Sequence, residues 1–307
     1  MVIFTSSRSL ERSENIKVVW DAYKGQKQFI RLRYDQEKQL ENNKFDLVVT
    51  DEFVPRCISP MIMIFHGAEG IKTYGFDQPH PYHSRNSVEK YLYFVISTSK
   101  MIDLAAEQCG VSKDKILPLG MPRTDQYFGN LKRDITILPE NKKVYLYVPT
   151  FQTLTERNTD WLKIDKMLTD DEIFLIKNHM VTGDPHIPND NLFKHIKIIS
   201  CSFQSAPFLI GCDSVITDYS SIMIDAHILN KPVVLYAKDK NRYLKIRGMY
   251  YDYPDAYSSQ FTSDEEELIH MLRNPINNSS IFKNFFADAC DGHSTERVVK
   301  LIERSII

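Results

Sequence analysis

No apolar run in this sequence approaches the roughly 20 residues that a membrane-spanning helix needs, so any membrane contact is expected to be peripheral. Cysteine gives no framework either. The five residues, Cys57, Cys109, Cys201, Cys212 and Cys290, are odd in number and form no CxxC pair. That disfavours disulfides or a zinc site and points to a reducing compartment. No leader pattern opens the chain: Met1 to Thr5 is apolar, but Ser6 and Arg8 end the run, and a cytoplasmic protein is expected. Net charge is only −2, too small a field to draw nucleic acid, and no nucleic-acid partner is expected. GxGxxG is missing, which disfavours a dinucleotide cofactor; no cofactor is expected. Internal repeats, low-complexity tracts and a clear metal constellation are missing too. Asp239, Asp252 and Asp255 are scattered along one loop, and no metal site is expected.

What is present is alternation. The 307 residues suit two domains of about 150. Short β-branched runs suggest strands at Val2–Thr5, Lys17–Trp20, Leu47–Thr50, Met61–Phe65, Tyr93–Ser97 and Ile116–Leu119. A second series follows at Val144–Val148, Ile173–Ile176, Ile196–Ile199, Ser214–Thr217 and Val233–Tyr236. These runs show little internal polar alternation, as expected of parallel strands covered on both faces. Helix-period segments such as Lys100–Cys109 and Ile222–Leu229 lie between them. The pattern predicts an α/β protein of two Rossmann-like domains, 1–138 and 139–307, facing across a cleft. The segment Asp125–Lys143 reads as their connection, and Thr295–Ile306 as a terminal amphipathic helix of the second domain. The stretch Lys24–Lys44 is basic, with Phe29, Leu32 and Tyr34 interleaved. It either faces anionic lipid or a polyanionic acceptor, or is the solvated face of a surface helix.

Ligands of open α/β sheets bind at the carboxyl ends of strands, so the turns after strands carry the chemistry. Met61–Phe65 runs into His66-Gly67, where a histidine suits proton removal from a hydroxyl and glycine permits close approach. A buried structural histidine fits the dipeptide as well. Lys72 follows, either holding an anionic acceptor or lying on the surface. In Gly120-Met121-Pro122-Arg123-Thr124-Asp125, Arg123 either grips a phosphate or pairs with Asp125. Thr150 follows the first strand of the second series and either donates to a phosphate or caps a helix.

Lys177-Asn178-His179 ends another strand, and two cations there suggest a seat for a diphosphate. His186 and His195 lack such a position and read as surface residues. Thr217-Asp218-Tyr219-Ser220-Ser221 is the most informative turn. Two hydroxyls open a helix whose N–H groups favour phosphate. Asp218 would repel phosphate, and reads as a helix cap or as the orienter of a cation. Asp225, one turn on, either accepts from ribose hydroxyls or pairs with a lysine. The segment Tyr243–Asp252 reads as a loop in which Arg247 either meets the donor phosphates or lies among packed tyrosines.

In this order the motifs resemble those of the CDP-glycerol glycerophosphotransferase family, the teichoic-acid primases and polymerases and related capsule enzymes. The residues carrying the resemblance are His66-Gly67, Gly120 to Asp125, Pro149-Thr150-Phe151, Lys177-Asn178-His179, Thr217 to Ser221, Lys231-Pro232, Arg247 to Asp252, and Asp291-Gly292 with Glu296-Arg297. The match runs from about residue 45 onward. It departs at Ala68-Glu69 with one extra residue before Lys72, at Gln152, and at Thr124.

The resemblance implies a GT-B fold and transfer of a glycerol or ribitol phosphate from a CDP-polyol to the hydroxyl of a lipid-linked or polymeric acceptor, with CMP leaving. It implies His66 as general base and His179 as stabiliser of the leaving oxygen. Thr150, Lys177, Asp218, Ser220, Ser221, Asp225 and Arg247 would bind the donor; Gly67, Lys72 and Arg123 would bind the acceptor. Peripheral contact with the cytoplasmic membrane face and activity largely independent of divalent ions are expected. A GT-B glycosyltransferase using a nucleotide sugar, or a non-catalytic nucleotide- or polymer-binding protein, are the rival readings.

Overall fold

A computed structural model of the chain describes residues 1–54, 56–65, 67, 71–73, 88–129, 138–139, 141–150, 158–177, 192–200 and 203–306. The chain divides into two units, one of Met1–Gly129 with Asn284–Ile307, the other of Asn130–Lys283.

The first unit is built on β1 (Val2–Ser6), β2 (Lys27–Arg31), β3 (Leu47–Thr50), β4 (Met61–Ile64), β5 (Tyr91–Val95) and β6 (Ile116–Leu117), in the order β2-β1-β3-β4-β5-β6. Every pairing is parallel. Strands β1, β3 and β4 are buried at every position, which is why they read as unbroken apolar runs. Helices α1 (Glu14–Ala22), α2 (Tyr34–Asn42) and α3 (Ile102–Cys109) belong to this unit.

The second unit holds β7 (Lys143–Tyr147), β8 (Glu172–Lys177), β9 (Ile196–Ile199), β10 (Ser214–Thr217), β11 (Val233–Tyr236) and β12 (Gln260–Thr262). They are also parallel, in the order β12-β11-β10-β7-β8-β9. Counted within the unit this is the doubly wound order 3-2-1-4-5-6, whose direction reverses between β7 and β10. In the first unit the reversal falls between β1 and β3. Helices α4 (Trp161–Met167), α5 (Ala206–Gly211), α6 (Ile222–Ile228), α7 (Lys240–Ile246) and α8 (Glu265–Arg273) belong to the second unit. Its core joins Tyr147, Trp161, Phe174, Ile216, Tyr236 and Leu268.

Several expectations are corrected. Lys17–Trp20 is helical, inside α1, because Ile16 and Val19 form a buried stripe with helical spacing. The basic stretch is part strand and part helix: Lys27–Arg31 is the edge strand β2, half-exposed, with the Lys27 ammonium 4.8 Å from the Trp20 ring centroid, and Tyr34–Asn42 is α2. Strand β12 has only three residues, too few to show a period. Tyr243–Ile246 is the last turn of α7 rather than loop. His195, read as a surface residue, is 7% exposed, and its backbone N–H donates to Asp165 at 2.8 Å.

The terminal helix α10 (Ser294–Ser305), placed with residues 139–307 from the sequence, packs in the first unit. Val298 and Ile302 join a core with Ile16, Val19, Val49 and Ile64. Asp125 explains the attachment. Its carboxylate accepts from Ser294 N at 3.0 Å and Thr295 N at 2.6 Å, satisfying the first turn of α10. Gly120 completes the joint with φ +85, and a Cβ there would strike the Ala289 carbonyl and the Ser294 hydroxyl. The chain returns to its first unit within α9 (Ser279–Phe286), between Lys283 and Asn284.

Candidate functional site

The second unit concentrates its motif residues where its strand order reverses. Register pairs Tyr147 with Ile216, so the turns after β7 and β10 emerge side by side. Thr217 Oγ1 donates to the Val148 carbonyl at 2.6 Å, which clips the two strand ends together. Asp218 then accepts at one oxygen from Thr150 N at 2.7 Å and from Tyr219 N at 2.6 Å. This resolves the awkward aspartate. It does not cap α6, whose N-cap is Ser221 with no side-chain cap bond. It knots two backbone turns and is 3% exposed.

Thr150 is thereby held beside the Ser220-Ser221 turn. Both serines are half-buried, and Ser220 Oγ accepts from Ile222 N at a long 3.4 Å, leaving the hydroxyls lightly engaged. Lys177 ends β8 with its side chain buried at 2% exposure. Arg247 caps the C-terminus of α7, its N–H donating to the Tyr243 carbonyl at 2.8 Å; Gly248 follows with φ +74. Asp225 is fully buried within α6, away from any open face.

Tyrosines surround this turn, as the packed-tyrosine alternative for the segment around Arg247 anticipated in part. The rings of Tyr219 and Tyr243 stack at 3.6 Å and 5°. Tyr219 Oη donates to Asp239 at 2.8 Å, and Tyr253 Oη donates to the Asp218 carbonyl at 3.2 Å. Burial above all pushes the Tyr219, Tyr243 and Tyr253 phenols well above their ordinary range, and Asp239 adds to the effect at Tyr219. They stay protonated, and the Tyr219 and Tyr253 hydroxyls donate to stiffen the turn. Their spacing along the chain follows no period, so only the fold reveals their meeting.

A narrow crevice lined by Tyr147, Thr159, Asp218 and Tyr236 shares Lys238 and Asp239 with a cavity of about 610 Å³. The cavity is lined by Asn158, Lys238, Lys240, Arg242, Phe261 and Ser263 among others, a cationic surface with one aromatic face. Lys238 anchors its wall through Glu265 at 2.5 Å. Burial opposes charge on Glu265, but the hydrogen bonds from Lys238 and Asp160 N outweigh it and hold the carboxyl below its usual range.

In the first unit, Arg123 is 6% exposed, and its Nη1 lies 3.8 Å from Glu14 rather than against Asp125. Its backbone N–H donates to Asn15 Oδ1 at 2.9 Å, while Asn15 Nδ2 donates to the Phe65 carbonyl at 2.8 Å. The buried Asn15 side chain thus ties the Pro122 turn to the end of β4. Gly67 and Lys72 are half-buried beyond that strand. His66, His179 and His186 lie outside the described residues, as do Phe151, Gln152 and Asn178. Among the described residues no group of three or more His, Cys, Asp or Glu is placed to hold a metal ion, and no helix is long and apolar enough to cross a membrane.

A teichoic acid poly(ribitol-phosphate) polymerase of Bacillus spizizenii is 28% identical over 289 residues, covering 83% of this chain and 46% of that protein. A teichoic acid glycerol-phosphate primase of Bacillus subtilis is 25% identical over 297 residues, covering 90% of this chain and 76% of that protein. The chain thus spans about half the length of the first relative and three quarters of the second. The solved structure of the wall teichoic acid polymerase TagF matches with a TM-score of 0.77 at 18% identity, covering 100% of this chain and 89% of that one. At that identity the likeness shows the fold: the two-sheet α/β arrangement of GT-B proteins. Residues 2–304 match the model of the CDP-Glycerol:Poly(glycerophosphate) glycerophosphotransferase family, and the chain belongs to that family.

Proposed function

We propose that this chain transfers a glycerol or ribitol phosphate from a CDP-polyol to the hydroxyl of a lipid-linked or polymeric acceptor, releasing CMP, in the synthesis of a teichoic-acid-like or capsular polymer. The observation that carries this reading is the knotted turn pair of the second unit. Asp218 sets Thr150 beside Ser220 and Ser221 at the reversal point of the sheet, where a doubly wound domain takes a nucleotide. Thr150, Ser220 and Ser221 would hold the diphosphate, with Lys177 and Arg247 neutralising its charge. Asp218 shapes this seat, and the buried Asp225 and Arg123 support the two units from within. Gly67 and Lys72 would receive the acceptor.

In the reaction the acceptor oxygen forms a bond to the distal phosphorus while the bond from that phosphorus to the bridging oxygen breaks, and CMP departs. His66 takes the hydroxyl proton; His179 stabilises charge on the bridging oxygen. Such a transfer depends on positioning and charge stabilisation more than on covalent steps. The site of action is the cytoplasmic face of the membrane, touched peripherally. Purified protein offered CDP-glycerol, CDP-ribitol and UDP-sugars with lipid-linked and polymer acceptors decides the matter. CMP release that depends on both a CDP-polyol and an acceptor is expected; release of UDP from a UDP-sugar instead would overturn the reading.

A further inference from the structure

The first unit has its own reversal point, between β1 and β3, and a carboxyl group sits there that the proposed chemistry does not use. Register pairs Thr5 with Thr50, which sets Ser6, the last residue of β1, level with Asp51, the first residue beyond β3. Asp51 is 1% exposed, yet its Oδ1 is buried with no hydrogen-bond partner among the described residues. Leaving a buried acceptor unsatisfied is unfavourable, and native proteins seldom do so without a use for it.

The surroundings do not supply what is missing. From the end of β1 comes the Ser6 hydroxyl, whose hydrogen bond favours the carboxylate, and from just beyond it the Arg8 charge, which does the same. Beside Asp51 in the chain is Glu52, which repels it and whose own Oε1 is taken by Ser7 Oγ. From β4, extending the register of Thr50 with Met63 brings Ile64 and Phe65, which are apolar. From β5, the Tyr91 hydroxyl donates toward the Glu52 carbonyl and accepts from Val54 N. Burial, with Glu52 second, pushes the Asp51 carboxyl up to about 7. The group therefore sits near neutrality at the carboxyl end of a central parallel strand, where open α/β sheets bind ligands.

We propose that Asp51 is an acceptor-binding residue: its Oδ1 takes a hydrogen bond donated by a hydroxyl of the polyol acceptor. The ligand thus provides the donor that the chain withholds. This inference rests on the reading that the first unit receives the acceptor. It goes further in naming a hydroxyl-bearing ligand and the atom that recognises it. Glu52 and Arg8 are half-buried beside it.

The test compares the whole protein with Asp51→Asn and Asp51→Ala. Initial rates of CMP release are followed with CDP-glycerol as donor and a soluble oligo(glycerol phosphate) as the varied acceptor. The expected result is a graded rise in acceptor KM, about tenfold for Asn, which keeps a neutral acceptor atom, and larger for Ala, with donor KM within about twofold. Calorimetric titration of the same oligomer reads the acceptor side without turnover. Loss of transfer in the wild type with oligomer binding that weakens in Asp51→Asn would sink the assigned reaction and keep this residue's role. Acceptor KM and oligomer affinity unchanged in folded Asp51→Asn, or equal losses for donor and acceptor, would overturn the role itself. Should Asp51→Ala not fold, the Asn variant decides alone.

Discussion

Two strands in different units read almost alike, Val48-Val49-Thr50-Asp51 and Val215-Ile216-Thr217-Asp218, and each ends at the reversal point of its sheet. Their aspartates are both buried and are used in opposite ways. Thr217 reaches across to the Val148 carbonyl, and Asp218 collects Thr150 N and Tyr219 N. Thr50 instead turns onto its own chain, accepting from Glu52 N and donating to the Glu52 carbonyl at 2.8 Å, and Asp51 keeps an oxygen open. A knotted aspartate makes a rigid seat; an open one waits for a donor. The difference lies not in the four residues but in what the neighbouring strand offers. Beside Asp218 it is the Thr150 N–H of the turn after β7, and beside Asp51 a serine hydroxyl and two apolar residues.

The comparison can be broken at several points. The largest effect is expected at the histidines assigned one to each unit. His66→Ala and His179→Ala should each lower kcat by about 10²–10⁴-fold with folding intact, measured as CMP release. Near-normal release by both would overturn the roles assigned to them.

Next comes Asp51 itself. Its folded value is about 7, while an unfolded chain titrates aspartate near 4. Between these the folded protein holds a proton that the unfolded chain has released. Stability therefore falls as pH rises from about 4 to about 7 and stays low above that. The full effect is at most about 4 kcal/mol. Asp51→Asn should abolish this slope and raise the unfolding midpoint at pH 8. A stability gain paired with a lost function marks a ligand-binding carboxyl, whereas a midpoint unchanged or lowered would make Asp51 resemble Asp218.

The second unit carries the reverse case in His227. Its Nε2 lies 3.0 Å from the Tyr257 carbonyl, its Nδ1 lies 3.1 Å from Ser279 Oγ, and its ring stacks on Phe282. Burial lowers it to about 4, partly opposed by the Tyr257 carbonyl. Here the unfolded chain binds the extra proton, so stability falls as pH drops from about 6.5 to about 4, by up to about 3 kcal/mol. Melting curves across pH should show the acid-sensitive term disappear in His227→Gln while the Asp51 term persists. The smallest effect is expected for Asp218→Ala, which strands two backbone N–H groups and should lower stability by about 2 kcal/mol or more and raise donor KM, read by denaturant unfolding and donor titration.

Much of the fold was legible because covered parallel strands are mostly apolar. Leu47–Thr50, Ile196–Ile199, Ser214–Thr217 and Val233–Tyr236 stand in the structure with the bounds expected of them. Lys17–Trp20 misled because a β-branched pair sits inside a helical stripe whose other member is Ile16. Strand β2 was hidden by its edge position, which lets Lys27, Gln28 and Arg31 meet solvent. Of the proposed donor residues, Thr150, Ser220 and Ser221 were named because they follow strands and Lys177 because it ends one. The meeting of Tyr219, Tyr243, Tyr253 and Asp239 was not legible, since it joins the turn after β10 to α7 and to the segment beyond it.

Composition and periodicity by themselves determined two doubly wound halves, the turns that bear polar residues, and the order of motifs. Those are local properties, written in runs of four to eight side chains. Tertiary structure alone decided that α10 serves the first unit, because an amphipathic stripe announces a buried face without naming what covers it. It also decided which of two like aspartates is satisfied, because a carboxylate's partners are backbone groups brought in from elsewhere along the chain.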